Sequence, residues 1–362
     1  MYKELFLFLQ IEAEHKADVV KTQNQEQQDL LDEVLLTEDN IILNATMSRG
    51  ISEAVAKVML AARRQSSDRQ YKVYFSKYLQ FCRDKTINPL RASLAEGLSF
   101  LDSLHSDGLS YSAINSARSA LSLVLRFEGI NFGSHPDVIQ YMKGIGNLKP
   151  SAPRYSQVWD LDIVLKTLKL WAPKQKLDLR VLTMKTVMLV LIVSGQRPQI
   201  ISKLNIDRME ISPNKVTFSM LQSDFKQGNR GTYPEKLEFS KFPGDKRVCV
   251  HTYLIEYMQR TLDIRKANKS LFLTVGTPHH APTVSTITRW IKSVFRHAGI
   301  STDKYSPASV RTAVASKAVD KGVSICDILK LGGWTRESTF TKFYKKPIVK
   351  QDGQSIQSIL LS

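Results

Sequence analysis

From Ile51 onward, apolar residues recur at three- and four-residue steps, the spacing of one helix face. Tyr71, Tyr74, Phe75, Tyr78, Leu79 and Phe81 follow this rhythm and mark a core-facing helix. Ser110 predicts an N-cap for a helix over 111–127 that stops before Gly129. Ser112, Ala113, Ser116, Ala117, Ser119 and Ala120 give that helix small side chains, which allow close approach of another surface. Further on, 162–171 is amphipathic, while 181–193 is apolar on every side and predicts a buried helix. The period then switches to two over 215–220 and 236–239. The turn-rich stretch 226–231 between them predicts a hairpin. Helices resume over 250–261, 284–297, 309–320 and 325–331. There is no internal repeat and no βαβ alternation, so the predicted fold class is mainly α with a small antiparallel β-sheet.

Two breaks in the pattern suggest how the chain is organised. Residues 1–48 are acidic and glutamine-rich and predict a weakly ordered segment. Between Gly144 and Gln157 lie two glycines, Pro150, Pro153, Lys149 and Arg154, which predicts an interdomain linker over 149–158. Domains over 49–148 and 159–350 flank it, and a tail occupies 351–362. In the tail, Ile356, Ile359 and Leu360 form a short apolar stripe that needs a surface to pack on.

Charge narrows the partner. The 362 residues carry a formal net charge of +17. The first fifty hold ten acids and four bases, so the remaining body is at +23. Such a body suits a polyanion, of which nucleic acid is the commonest. Cys82, Cys249 and Cys326 lack metal-ligand spacing, so no metal is expected, and they read as reduced thiols of an intracellular protein. No apolar run reaches the ~20 residues of a membrane span. The run from Leu5 to Leu9 is followed by Glu12 and Glu14 and does not read as a signal peptide.

Five residues carry the candidate chemistry. Arg197 ends the buried helix region and precedes Pro198; Lys226 falls at the predicted hairpin tip. Arg311 lies near the start of a predicted helix, where a cation opposes the dipole and hints at an anion partner. Trp334 follows Gly332-Gly333, and Tyr344 closes an aromatic cluster with Phe340 and Phe343. Taken singly, each suits a bland role: a capping arginine, a solvated lysine, core aromatics. Together they offer two arginines, a lysine, an indole donor and a phenol, which suits attack of a phenolic oxygen on a DNA phosphodiester.

In this order the set resembles the tyrosine recombinases, the phage integrase family. That pattern is Arg, a β-hairpin Lys, His-x-x-Arg, His or Trp, then Tyr. It maps onto Arg197, Lys226, Ala308-x-x-Arg311, Trp334 and Tyr344. The segments Pro307-Ala308-Ser309-Val310-Arg311 and Ser338-Thr339-Phe340-Thr341-Lys342-Phe343-Tyr344 are similar to those of DIRS-type and Crypton recombinases of eukaryotic transposable elements. Trp159-Asp160 and the segment 288–292 look similar too.

The resemblance implies a two-domain architecture. A helical, SAM-like core-binding domain precedes a mixed α/β catalytic domain, and the two close on duplex DNA. It implies a DNA integrase or recombinase of a mobile element, acting through a 3′-phosphotyrosine on Tyr344. Arg197 and Arg311 would clamp the phosphate, Lys226 protonate the leaving oxygen, and Trp334 donate one hydrogen bond. It further implies no cofactor, a homo-tetramer on paired DNA sites, and a nuclear location. Two departures stand out. Ala308 replaces the histidine, which leaves open a DNA-binding relic without full cleavage activity. A Trp-to-Tyr spacing one residue shorter, common among bacterial relatives, would select Phe343 instead of Tyr344.

Overall fold

The computed structural model describes residues 36–150, 155–171, 173–225 and 233–349. The chain divides into two compact units, with the boundary between Ala152 and Pro153. The expectations for most of 1–48 and for the tail fall outside the described residues.

The first unit is a helical bundle: α1 (Ile41–Met47), α2 (Glu53–Ala61), α3 (Gln65–Asp84), α4 (Leu94–Ser106), α5 (Tyr111–Leu121) and α6 (Pro136–Leu148). On α3, the apolar stripe buries Phe75, Tyr78, Leu79 and Cys82 against Phe100, Leu101, Ile114 and Phe132. The Tyr78 hydroxyl escapes an unpaired burial by donating to the Pro89 carbonyl at 3.0 Å. Ser93 and Glu96 close a capping box on α4, and Ser110 caps α5.

One expectation needs correction here. The helix that starts at Tyr111 stops at Leu121 and not at residue 127. Leu123, Val124 and Leu125 continue the apolar run, but Glu128 and Gly129 both take positive φ and turn the chain into a hairpin of β1 (Arg126–Phe127) and β2 (Ile130–Asn131). Helix α6 runs through Gly144 and Gly146 to Leu148. Burial of Val138, Met142 and Ile145 offsets the ~1 kcal/mol that each glycine costs a helix.

The second unit is built around α8 (Leu179–Ser194), as the all-apolar stretch required. Its other helices are α7 (Leu161–Leu170), the single turn α9 (Pro198–Ile201), α10 (Val250–Arg265), α11 (Val284–His297), α12 (Ser309–Asp320), α13 (Ile325–Gly332) and α14 (Glu337–Phe343). Helices α10, α11 and α12 pack on α8. An antiparallel sheet of β4 (Met209–Ile211), β5 (Lys215–Ser219) and β6 (Lys236–Ser240) lies beside it, with Phe218 opposite Leu237. The sequence pattern did not show β4. Nor did it show a parallel pair in which β3 (Val158–Trp159) joins β7 (Ile348–Val349). Within α8, Lys185 is fully buried. Its ammonium donates to the Leu168 carbonyl at 2.6 Å and lies 4.4 Å over the Tyr253 ring.

Among the described residues, no helix is long and apolar enough to cross a membrane, and no group of three or more His, Cys, Asp or Glu could hold a metal ion.

Candidate active site

The second unit carries an open groove of about 1100 Å³. Arg197, Ala308, Arg311, Trp334 and Tyr344 all line it. Lys226 lies outside the described residues, within the connection between β5 and β6. The structure therefore brings together four of the five residues picked from the sequence, plus the alanine at the departure point.

Arg311 sits in the first turn of α12 and is only 3% exposed. Nη1 donates to the Gly195 carbonyl at 2.9 Å and Nη2 to the Gly332 carbonyl at 2.5 Å. The guanidinium carbon lies 3.8 Å from the centre of the Trp334 ring and 5.4 Å from that of Tyr344. Burial, reinforced by Arg197, pushes the Arg311 pKa down to about 10, and Tyr344 acts in the opposite sense. The group thus stays cationic at neutral pH. Among the described residues no carboxylate pairs with it. Its Nε and the indole Nε1 of Trp334 are buried donors without a hydrogen-bond partner among the described residues.

Local sequence explains how these groups converge. Helix α8 ends on Gly195, which takes φ +59°. The buried Gln196 donates to the Leu331 carbonyl at 2.9 Å, and the half-buried Arg197 becomes the N-cap residue of α9. The Gly-Gly-Trp run has a steric logic. Gly333 is a left-handed C-cap of α13, which favours glycine. A Cβ on Gly332 would lie 1.8 Å from Trp334 Cζ3, so the indole folds back over a residue that must lack a side chain.

Tyr344 follows α14 and is half-buried. Its ring meets Trp334 edge-on at 4.7 Å, and Phe340 packs on the same indole at 5.3 Å. Its amide donates to Phe340, and its carbonyl accepts from Ser316 Oγ at 2.9 Å. The Lys346 amide donates to that same hydroxyl. Downstream, Val158 donates to the Pro347 carbonyl as β7 joins β3. The backbone of Tyr344 is therefore anchored on both sides and its ring packs on Trp334, whereas Phe343 is 54% exposed. Of the two candidates for the last position, Tyr344 is the one beside Arg311 and Trp334.

Several groove residues escaped the sequence reading: Tyr155, Thr312 and Arg336. Arg336 had a faint signal, a cation two residues beyond Trp334. Tyr155 had none.

A family model described as the phage integrase family matches residues 166–348, about half of the chain. No curated protein matches. Among solved structures, the fold is similar to a lambda integrase dimer bound to a COC′ core site (TM-score 0.50, 15% identity, 83% of this chain and 77% of that one). It is also similar to the XerH site-specific recombinase bound to palindromic difH substrate in a post-cleavage complex (TM-score 0.51, 15% identity, 77% of this chain and 76% of that one).

Proposed function

Since the chain belongs to the phage integrase family, we propose that it breaks and rejoins DNA strands site-specifically, with Tyr344 as the nucleophile. The observation that carries this reading is Arg311. A buried cation without a carboxylate partner among the described residues, stacked on an indole and next to a phenol, suits an incoming anion.

In the proposed reaction, Tyr344 Oη attacks the scissile phosphorus. The bond to the 5′-oxygen breaks, and a 3′-phosphotyrosine forms with a free 5′-hydroxyl. Attack by a 5′-hydroxyl reverses the step, so the ester keeps the energy for rejoining. The resemblance implies a phosphate clamp by Arg311, and the geometry narrows how that side chain can donate. Both of its Nη atoms are engaged by carbonyls, which fixes the guanidinium plane and leaves Nε free to donate. Arg197 supplies the second positive charge and Trp334 Nε1 another donor. Charge stabilisation of this kind is usually the largest catalytic term. Lys226 is assigned to the leaving 5′-oxygen on the resemblance alone.

The finer reading is an integrase of a eukaryotic mobile element of the DIRS or Crypton kind, acting in the nucleus as a tetramer on paired duplex sites. The similarity of the Pro307–Arg311 and Ser338–Tyr344 segments supports it. One observation favours a second reading, a DNA-binding relic impaired in cleavage. Ala308 puts a methyl group in the groove where the family pattern has an imidazole. A nicked duplex bearing the DNA that flanks the coding sequence separates the two. The recombinase reading expects a denaturation-resistant protein–DNA adduct from the native chain. The relic reading expects it only after Ala308→His, since general acid–base assistance is typically worth ~10²–10⁴ in rate.

A further inference from the structure

Ala308 is the N-cap residue of α12 and has helical backbone angles. Thr312 is four residues on, so the two share a helix face. Both line the groove, and so does Tyr155. Its phenolic oxygen lies 3.5 Å from Thr312 Oγ1. Its ring rests edge-on against the buried Tyr305, with centroids 5.4 Å apart, which fixes the direction of the hydroxyl. The methyl of Ala308 leaves this wall open where a larger side chain would fill it.

The contact to Thr312 is long for an O–H···O bond, which prefers about 2.5–3.0 Å. Either hydroxyl can be the donor of so long a contact, so the Tyr155 O–H is not committed to Thr312 and can turn to a stronger acceptor. Thr312 is 2% exposed and follows Arg311 directly in sequence. The hydroxyl pair lines the same groove as Arg311, whose Nε has no hydrogen-bond partner among the described residues.

We propose that Tyr155, steered by Thr312, is a further hydrogen-bond donor to the phosphodiester in this groove, supplying from outside α12 the donor that Ala308 lacks. The proposal rests on the phosphodiester reading of the site given above. Tyr155 reaches the groove just before β3, from a chain position far from the other candidates. It also gives Ala308 a consequence: the methyl makes room for the phenol.

The test compares the native chain with Y155F, A308H, Y344F and the Y155F/A308H double variant. Two readouts are used: covalent adduct formation on nicked duplex in a single turnover, and calorimetric binding of orthovanadate, which needs no turnover. Loss of one preorganised donor typically costs about 10²–10³ in rate. Y155F should therefore slow adduct formation by at least tenfold and weaken vanadate binding, while duplex affinity, spread over many phosphate contacts, changes far less. The double variant should regain rate over Y155F, a rescue that a purely structural role for Tyr155 would not give. Y155F matching the native chain in both readouts overturns the proposal, as does a loss that A308H leaves unrepaired. If no protein forms an adduct, the strand-transfer reading fails by itself. Vanadate binding then still decides Tyr155: weakened in Y155F supports the contact, unchanged refutes it.

Discussion

Arg311 is a buried charge held by dipoles and ring faces. Two carbonyls, the Trp334 face and the Tyr344 ring surround it. Lysine cannot reproduce that planar arrangement, because its single ammonium neither stacks nor donates along fixed directions. Arg311→Lys should slow cleavage by ~10²–10³ while changing duplex affinity far less, since one of many basic groups keeps its charge. Single-turnover cleavage and equilibrium binding on the same duplex check this. At this scale the sequence was informative where chemistry and order combine. Arg197, Arg311, Trp334 and Tyr344 were legible as a set, and all four line one groove. Tyr155 was not legible, because a lone tyrosine after a proline-containing stretch carries no periodicity and no motif.

Among the elements, periodicity worked where helices are long and have one clear face or none. Helices α11 and α12 span the residues predicted for them, 284–297 and 309–320. It failed where a tertiary partner decides. The β3–β7 pair joins two-residue strands almost two hundred positions apart, too short to show alternation. The β1–β2 hairpin cuts short a helix whose apolar spacing continues to Phe127. The Gly332-Gly333 corner gives a direct test of element packing. Gly332→Ala places a methyl inside the Trp334 ring, and overpacking of this kind costs about 1–3 kcal/mol. The variant should melt earlier and lose tryptophan burial, as read by fluorescence.

Helix α8 offers a second test at this scale. Burial pushes the Lys185 pKa down to about 8, from an ordinary 10.5. Between those values the unfolded chain binds a proton that the folded chain has released, so the Lys185 contribution makes stability rise with pH. Below about 8 both states are protonated and the burial cost is constant. Lys185→Met should remove that slope from denaturant unfolding measured between pH 8 and 10.5. An unchanged pH dependence would place the titration elsewhere.

At the scale of the whole molecule, the uneven charge matters most. The chain past its first fifty residues carries +23. Duplex binding should therefore weaken steeply with salt, because phosphate neutralisation releases counterions. A logarithmic slope near zero would contradict a duplex-binding surface of this charge. The family model spans about half of the chain, and the fold matches two recombinase structures at 15% identity. Site chemistry must therefore be tested on this chain itself. The most direct measurement is mass spectrometry of the adduct trapped on nicked duplex. The account predicts a 3′-phosphate ester on Tyr344, absent from Tyr344→Phe, which should bind the duplex with nearly native affinity. An adduct mapped to another residue, or one that survives in Tyr344→Phe, would contradict it.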